Sequence, residues 1–104
     1  APEAVRDIPA HDFAAMLFLG VVCAPIIEEL LFRGLLFGAL QRSVKANIAI
    51  VWSSLLFTFV HPMVSWPPVF VVGIACAALR LRGGYLPACM VLHAAYNAVV
   101  LSLG

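Results

Sequence analysis

Charge is what this chain of 104 residues has least of. Asp, Glu, Lys and Arg make up 11% of it, against about 25% in an ordinary soluble domain, while hydrophobic residues reach 64% against roughly 45–50%. That balance excludes a soluble fold of this length and points to a polytopic helical membrane protein. A formal net charge of +1 leaves no basic footprint for nucleic acid. Cysteine is too sparse for a disulfide frame. Cys23, Cys76 and Cys89 are odd in number, lie in apolar segments without CxxC spacing, and read as small core residues. Internal repeats, low-complexity tracts and the HExxH zinc signature are all missing. So are an initiator Met and a signal-peptide pattern, and the expectation is a piece of a longer protein with further helices on its amino-terminal side.

Four apolar segments follow a polar lead-in, residues 1–12, that holds Glu3, Arg6, Asp7, Pro9, His11 and Asp12. The first runs from about Phe13 to Leu40. At ~1.5 Å per residue it is roughly 40 Å long, more than the ~30 Å hydrocarbon thickness, so it must tilt or break near Pro25. The second spans about Asn47 to His61, stopped by Pro62. The third, about Pro67 to Leu81, opens on two prolines and is short for a full crossing. The fourth, about Tyr85 to Leu103, follows Gly83-Gly84. Short links make successive helices antiparallel neighbours, and the fold class is an all-α transmembrane bundle. Up-down topology puts Arg42, Lys45, Arg80 and Arg82 on one side, cytoplasmic by the positive-inside rule, with Trp66 as an interfacial anchor opposite.

Within the first segment only Glu28, Glu29 and Arg33 are charged. A carboxylate near a bilayer centre costs about 2.5–3.5 kcal/mol on insertion scales, so its default reading is functional. Glu29 and Arg33 are four apart in the acid-first order that favours an ion pair on one face. Glu28 is turned ~100° away and stays free of that pairing. His61, His93 and Asn97 are polar groups in the other apolar segments that also need placing. Counted from their cytoplasmic helix ends at ~1.5 Å per residue, Glu28, His61, His93 and Asn97 lie roughly 20, 21, 12 and 18 Å deep, levels one shared site would produce. Gly34 and Gly38 form a GxxxG that would let a second helix approach closely.

The chemistry open to such a set is water activation. A carboxylate in a dry pocket is a stronger base than one in water, which suits Glu28 to take a proton from water. His61 would orient that water or share the proton. His93 and Asn97 would donate to the oxyanion formed at a carbonyl. No serine or cysteine has the companions of a nucleophile dyad, and Cys89, on the His93 face, reads as a buried inert thiol. The bland alternatives are a packing charge network for Glu28, Glu29 and Arg33, a helix-end histidine at 61, and interhelical hydrogen bonding for His93 and Asn97. His11 reads as a surface residue.

Glu28-Glu29-Leu30-Leu31-Phe32-Arg33 is EExxxR, Phe57-Thr58-Phe59-Val60-His61 is FxxxH, and His93-Ala94-Ala95-Tyr96-Asn97 is HxxxN. In this order, on separate apolar segments, they resemble the CPBP intramembrane proteases. That family includes the type II CAAX prenyl endopeptidases and bacteriocin-processing and self-immunity proteins. The resemblance implies a glutamate-dependent membrane endopeptidase with Glu28, His61, His93 and Asn97 at the active site, supported by Glu29 and Arg33. It also implies a membrane-associated peptide or protein substrate and a location in a membrane, expected to be a bacterial cell membrane. No cofactor is expected; zinc on Glu28, His61 and His93 is the less favoured alternative. The rival from another class is a non-catalytic immunity or scaffold protein that binds a partner. A proton pathway is disfavoured because no chain of acids reaches either face.

Overall fold

The structure is a computed structural model and describes residues 7–103. Glu3 and Arg6 of the lead-in lie outside the described residues. Four helices run in chain order: α1 (Ala10–Ser43), α2 (Ala46–Phe59), α3 (Trp66–Gly83) and α4 (Leu86–Leu103), with a single 3₁₀ turn, Met63–Ser65, leading into α3. There is no strand among the described residues.

Sequence dictates where each helix stops. Pro62 disfavours helical backbone at the residue before it, so α2 ends at Phe59. His61 therefore sits in the turn beyond the helix and not on it, as its expected span to His61 had required. α3 opens Trp66-Pro67-Pro68, where missing N–H groups cost nothing because the first turn has no partners for them. It closes on Gly84, whose φ of 62° is the left-handed cap that a side chain resists, with the Gly84 N–H donating to the Arg80 carbonyl at 2.8 Å.

α1 does not break at Pro25. It continues for 34 residues, about 51 Å at 1.5 Å per residue, and absorbs the proline by a change of winding. Phe18–Cys23 is wound as a wider π-type helix just ahead of Pro25, which makes room for the ring and for the bond its nitrogen cannot make. A second π-type stretch, Leu30–Leu36, follows the two acids and carries Arg33. α1, the segment Met63–Gly83 and α4 are each long and apolar enough to cross a membrane; α2, at 14 residues, is shorter. The third segment, expected to be short, gains length because its helix begins at Trp66 and runs through Gly83.

The bundle is a slab of 47 × 25 × 16 Å, so every helix keeps an outer face. Those faces are apolar: Leu35, Val71 and Val91 are each at least 65% exposed. Exposed leucine and valine on this scale need a hydrocarbon solvent. Burial is confined to a thin interior, with Phe37, Ala49 and Ala77 clustered near the end that carries Arg42 and Lys45.

The GxxxG expectation fails. A Cβ on Gly34 would lie 3.7 Å from Leu86 and one on Gly38 would meet only the end of Arg42 at 3.8 Å, both ordinary contacts. The close approaches are at Gly20 of α1, where a Cβ would sit 2.8 Å from Leu101 Cδ1, and at Gly73 of α3, where one would sit 3.3 Å from both Phe57 Cδ2 and Ser54 Cβ and 3.4 Å from Arg33 Nη2. Two glycines four apart permit a crossing, but the neighbouring helix decides whether it is used. Gly73→Val is therefore expected to destabilise the bundle by about 1–3 kcal/mol through overpacking. Gly38→Val should stay within about 0.5 kcal/mol of the parent in detergent unfolding followed by circular dichroism.

Candidate active site

α1 and α4 pair antiparallel, and the pairs can be followed along their length. Gly34 lies against Leu86, Glu28 against His93, and Gly20 against Asn97 and Leu101. α4 thus begins beside Gly34, not beside Gln41, because α1 runs on past it to Ser43. His93 is deeper than a count from Tyr85 makes it. It shares the level of Glu28, and Asn97 lies one turn further on.

The innermost group is Glu29, fully buried. Its Oε2 accepts from Arg33 Nη1 at 2.9 Å and from His93 Nδ1 at 3.0 Å. Arg33, equally buried, donates its second amino group to the Gly73 carbonyl at 2.9 Å and lies 4.2 Å over the Phe57 ring. The absence of a side chain at Gly73 is what opens that carbonyl to the guanidinium. This pair is structural: it ties α1 to α3 and α4 and leaves little of either charge accessible. Two atoms in it, Glu29 Oε1 and Arg33 Nε, are buried without a hydrogen-bond partner.

Glu28 faces differently. Its Oε1 is 3.3 Å from His61 Nε2 and 3.8 Å from His93 Nε2, and its side chain is 27% exposed. Oε1 is buried and forms no hydrogen bond, so these are close approaches of charge without hydrogen-bond geometry. Each imidazole is anchored by its other nitrogen. His61 Nδ1 donates to the Phe57 carbonyl at 2.7 Å, a carbonyl freed at the end of α2, and His93 Nδ1 donates to Glu29. The anchoring fixes which ring nitrogen is bare: in their neutral forms both rings turn an unprotonated Nε2 toward Glu28. Phe57 packs between them, its centroid 4.6 Å from that of His61 and 5.3 Å from that of His93.

The structure brings Glu28, His61 and His93 together, with Asn97 one turn further along α4. Asn97 Nδ2 donates to the Gly20 carbonyl at 2.8 Å and leaves one amide hydrogen over. Trp66, expected as an interfacial anchor, donates its indole N–H to the His61 carbonyl at 2.9 Å and holds the turn that carries His61. Cys89 is buried with its thiol 3.3 Å from the Cys76 carbonyl. His11 is exposed beside Asp12. Sequence reasoning missed the carbonyls of Gly73, Phe57 and Gly20, since backbone acceptors leave no residue-type signal. It also missed Arg80, half-buried, which donates through Nε to the Arg33 carbonyl at 3.3 Å and through Nη1 to the Gly84 carbonyl.

Among the described residues, Glu28, His61 and His93 form a group able to hold a metal, their ligand atoms all lying within 4.8 Å of one another. With or without an ion, the same three groups present a carboxylate and two imidazole lone pairs to one point, which is the equipment for activating water. The family model of the type II CAAX prenyl endopeptidase Rce1-like proteins matches residues 10–99. The chain belongs to that family. The match includes the EExxxR, FxxxH and HxxxN segments, and with three apolar spanning helices it makes this an integral membrane protein of an endopeptidase family. No curated protein and no solved structure matches the chain.

Removing Arg33 alone would strand a buried carboxylate. Arg33→Met is expected to cost about 3–5 kcal/mol in detergent unfolding. Adding Glu29→Gln to Arg33→Met should recover part of that loss, because the uncompensated charge is removed.

Proposed function

We propose that this chain is the catalytic core of an intramembrane endopeptidase in which Glu28 activates water directly. The observation that carries the reading is the convergence of Glu28 Oε1 with the Nε2 atoms of His61 and His93, at 3.3 and 3.8 Å. A water beside Glu28 and His61 gives one hydrogen to each acceptor, which aims an oxygen lone pair at a substrate carbonyl. Glu28 takes the proton as the water oxygen bonds to the carbonyl carbon. The resulting oxyanion receives the spare amide hydrogen of Asn97 and a hydrogen from His93. Because Nδ1 of His93 is committed to Glu29, His93 donates from Nε2 only when both ring nitrogens are protonated. Collapse of the tetrahedral adduct breaks the C–N bond, and Glu28 returns its proton to the leaving amine. No covalent acyl intermediate forms.

The substrate in this reading is a membrane-associated peptide or protein segment. The site is mostly enclosed by helices whose outer faces suit lipid, and its partly exposed edge lies at Glu28 and His61. Arg42 and Lys45, in and beside the α1–α2 link, and Arg82 at the end of α3 are exposed, as a cytoplasmic face would have them. Arg80 belongs to the same end, with part of its donor capacity spent inside. The reaction is metal-free, since Glu28 and the bare Nε2 of His61 already accept both hydrogens of one water.

Glu28→Gln keeps shape but removes the base. It should lower kcat for a quenched fluorescent peptide in proteoliposomes by about 10²–10⁴-fold with normal expression and unfolding behaviour. Undiminished biological effect from Glu28→Gln would instead establish a partner-binding immunity or scaffold role. Exhaustive chelation should leave turnover unchanged; loss on chelation with recovery on zinc would replace the metal-free mechanism with a zinc one.

A further inference from the structure

We propose that Glu28, His61 and His93 also form an inhibitory site for a divalent transition metal of the zinc class. A tetrahedral ion with bonds of about 2.0–2.2 Å holds neighbouring ligand atoms about 3.4 Å apart. Glu28 Oε1 lies 3.3 Å from one Nε2 and 3.8 Å from the other, close to that spacing without large movement. The third separation is within 4.8 Å and closes by a small shift of one ring.

Orientation argues as strongly as distance. Imidazole binds metal through a bare nitrogen, and its other nitrogen is usually fixed by a carbonyl or carboxylate. Both arrangements are present: His61 Nδ1 on the Phe57 carbonyl and His93 Nδ1 on Glu29. Glu28 Oε1, buried and without a hydrogen bond, is the remaining ligand atom. The side chains of Glu28 and His61 are 27% and 22% exposed, so an ion has an entry edge. The imidazole-rich set suits Zn²⁺, Co²⁺ or Ni²⁺ better than Mg²⁺ or Ca²⁺. An ion here takes up the lone pairs that would hold the attacking water. Inhibition rests on the water-activation reading of the preceding subsection; binding does not.

The test is a Co²⁺ titration of the chelator-treated protein in detergent, read by visible absorption, alongside turnover of the quenched peptide in added Zn²⁺. The expected result is one equivalent of Co²⁺ with the strong visible bands of a tetrahedral nitrogen–oxygen site, displaced by Zn²⁺ and not by Mg²⁺. Glu28→Gln and His61→Ala should each abolish it at metal concentrations that saturate the parent. Glu29→Gln should weaken it by about 10–100-fold, and His11→Ala should leave it unchanged. Thiolate charge-transfer bands, or binding lost with His11→Ala and kept in His61→Ala, would place the metal elsewhere and overturn the proposal. So would the absence of saturable binding. Binding without loss of turnover would overturn inhibition alone, whereas retained turnover in Glu28→Gln would remove the water-activation reading and leave the metal site standing.

Discussion

One carboxylate oxygen, Oε2 of Glu29, receives hydrogens from two helices at once. Arg33 reaches it from the next turn of α1, and His93 from α4. Arg33 then extends to the Gly73 carbonyl of α3 and over the Phe57 ring of α2, so a single ion pair touches all four helices. In a membrane no hydrophobic drive holds helices together, and packing with interhelical hydrogen bonds must do it. A pair this buried contributes little net stability when intact but is costly to break. Its use is positional: it fixes the depth of α4 against α1, and with it the distance from His93 to Glu28.

The adjacent acids divide their work because one residue along a helix turns a side chain by ~100°. Glu29 turns inward to Arg33 and His93. Glu28 turns to a partly open edge where, among the described residues, no Lys or Arg pairs with it. A second division falls within each imidazole. Nδ1 of each ring is spent on a structural acceptor, which leaves both Nε2 atoms for chemistry. The Phe57 carbonyl is available to His61 because α2 ends early, and α2 ends early because Pro62 follows His61. A proline beside a histidine thus fixes which ring nitrogen that histidine turns toward Glu28, through backbone geometry alone.

Much of this was legible in the sequence. The apolar excess, the punctuation by Pro62, Pro67, Pro68 and Gly84, and the spacing of Glu29 and Arg33 specify four helices and one ion pair by local rules. Register was less legible. Counting depth from helix ends assumed a common starting plane, but α1 overruns α4 by more than two turns, so His93 and not Asn97 meets Glu28. The winding of α1 also escaped the count, because the stretch from Glu28 to Gln41 was taken as a regular helix where Leu30–Leu36 is π-wound. Gly73 gave no signal, since a lone glycine in an apolar helix looks the same whether or not a guanidinium reaches its carbonyl. Gly34 and Gly38 gave a false one, because a pairwise motif does not say which neighbour it will meet.

The central claim is that Glu28 lies within contact of both imidazoles. Cysteine cross-linking in native membranes tests it most directly, in a chain whose Cys23, Cys76 and Cys89 are replaced by alanine. Cysteines at positions 28 and 61, and at 28 and 93, are expected to be bridged rapidly by a short bifunctional reagent, and the pair 28 and 97 slowly. Equal rates for all three pairs, or no bridge between 28 and 61, would contradict the account.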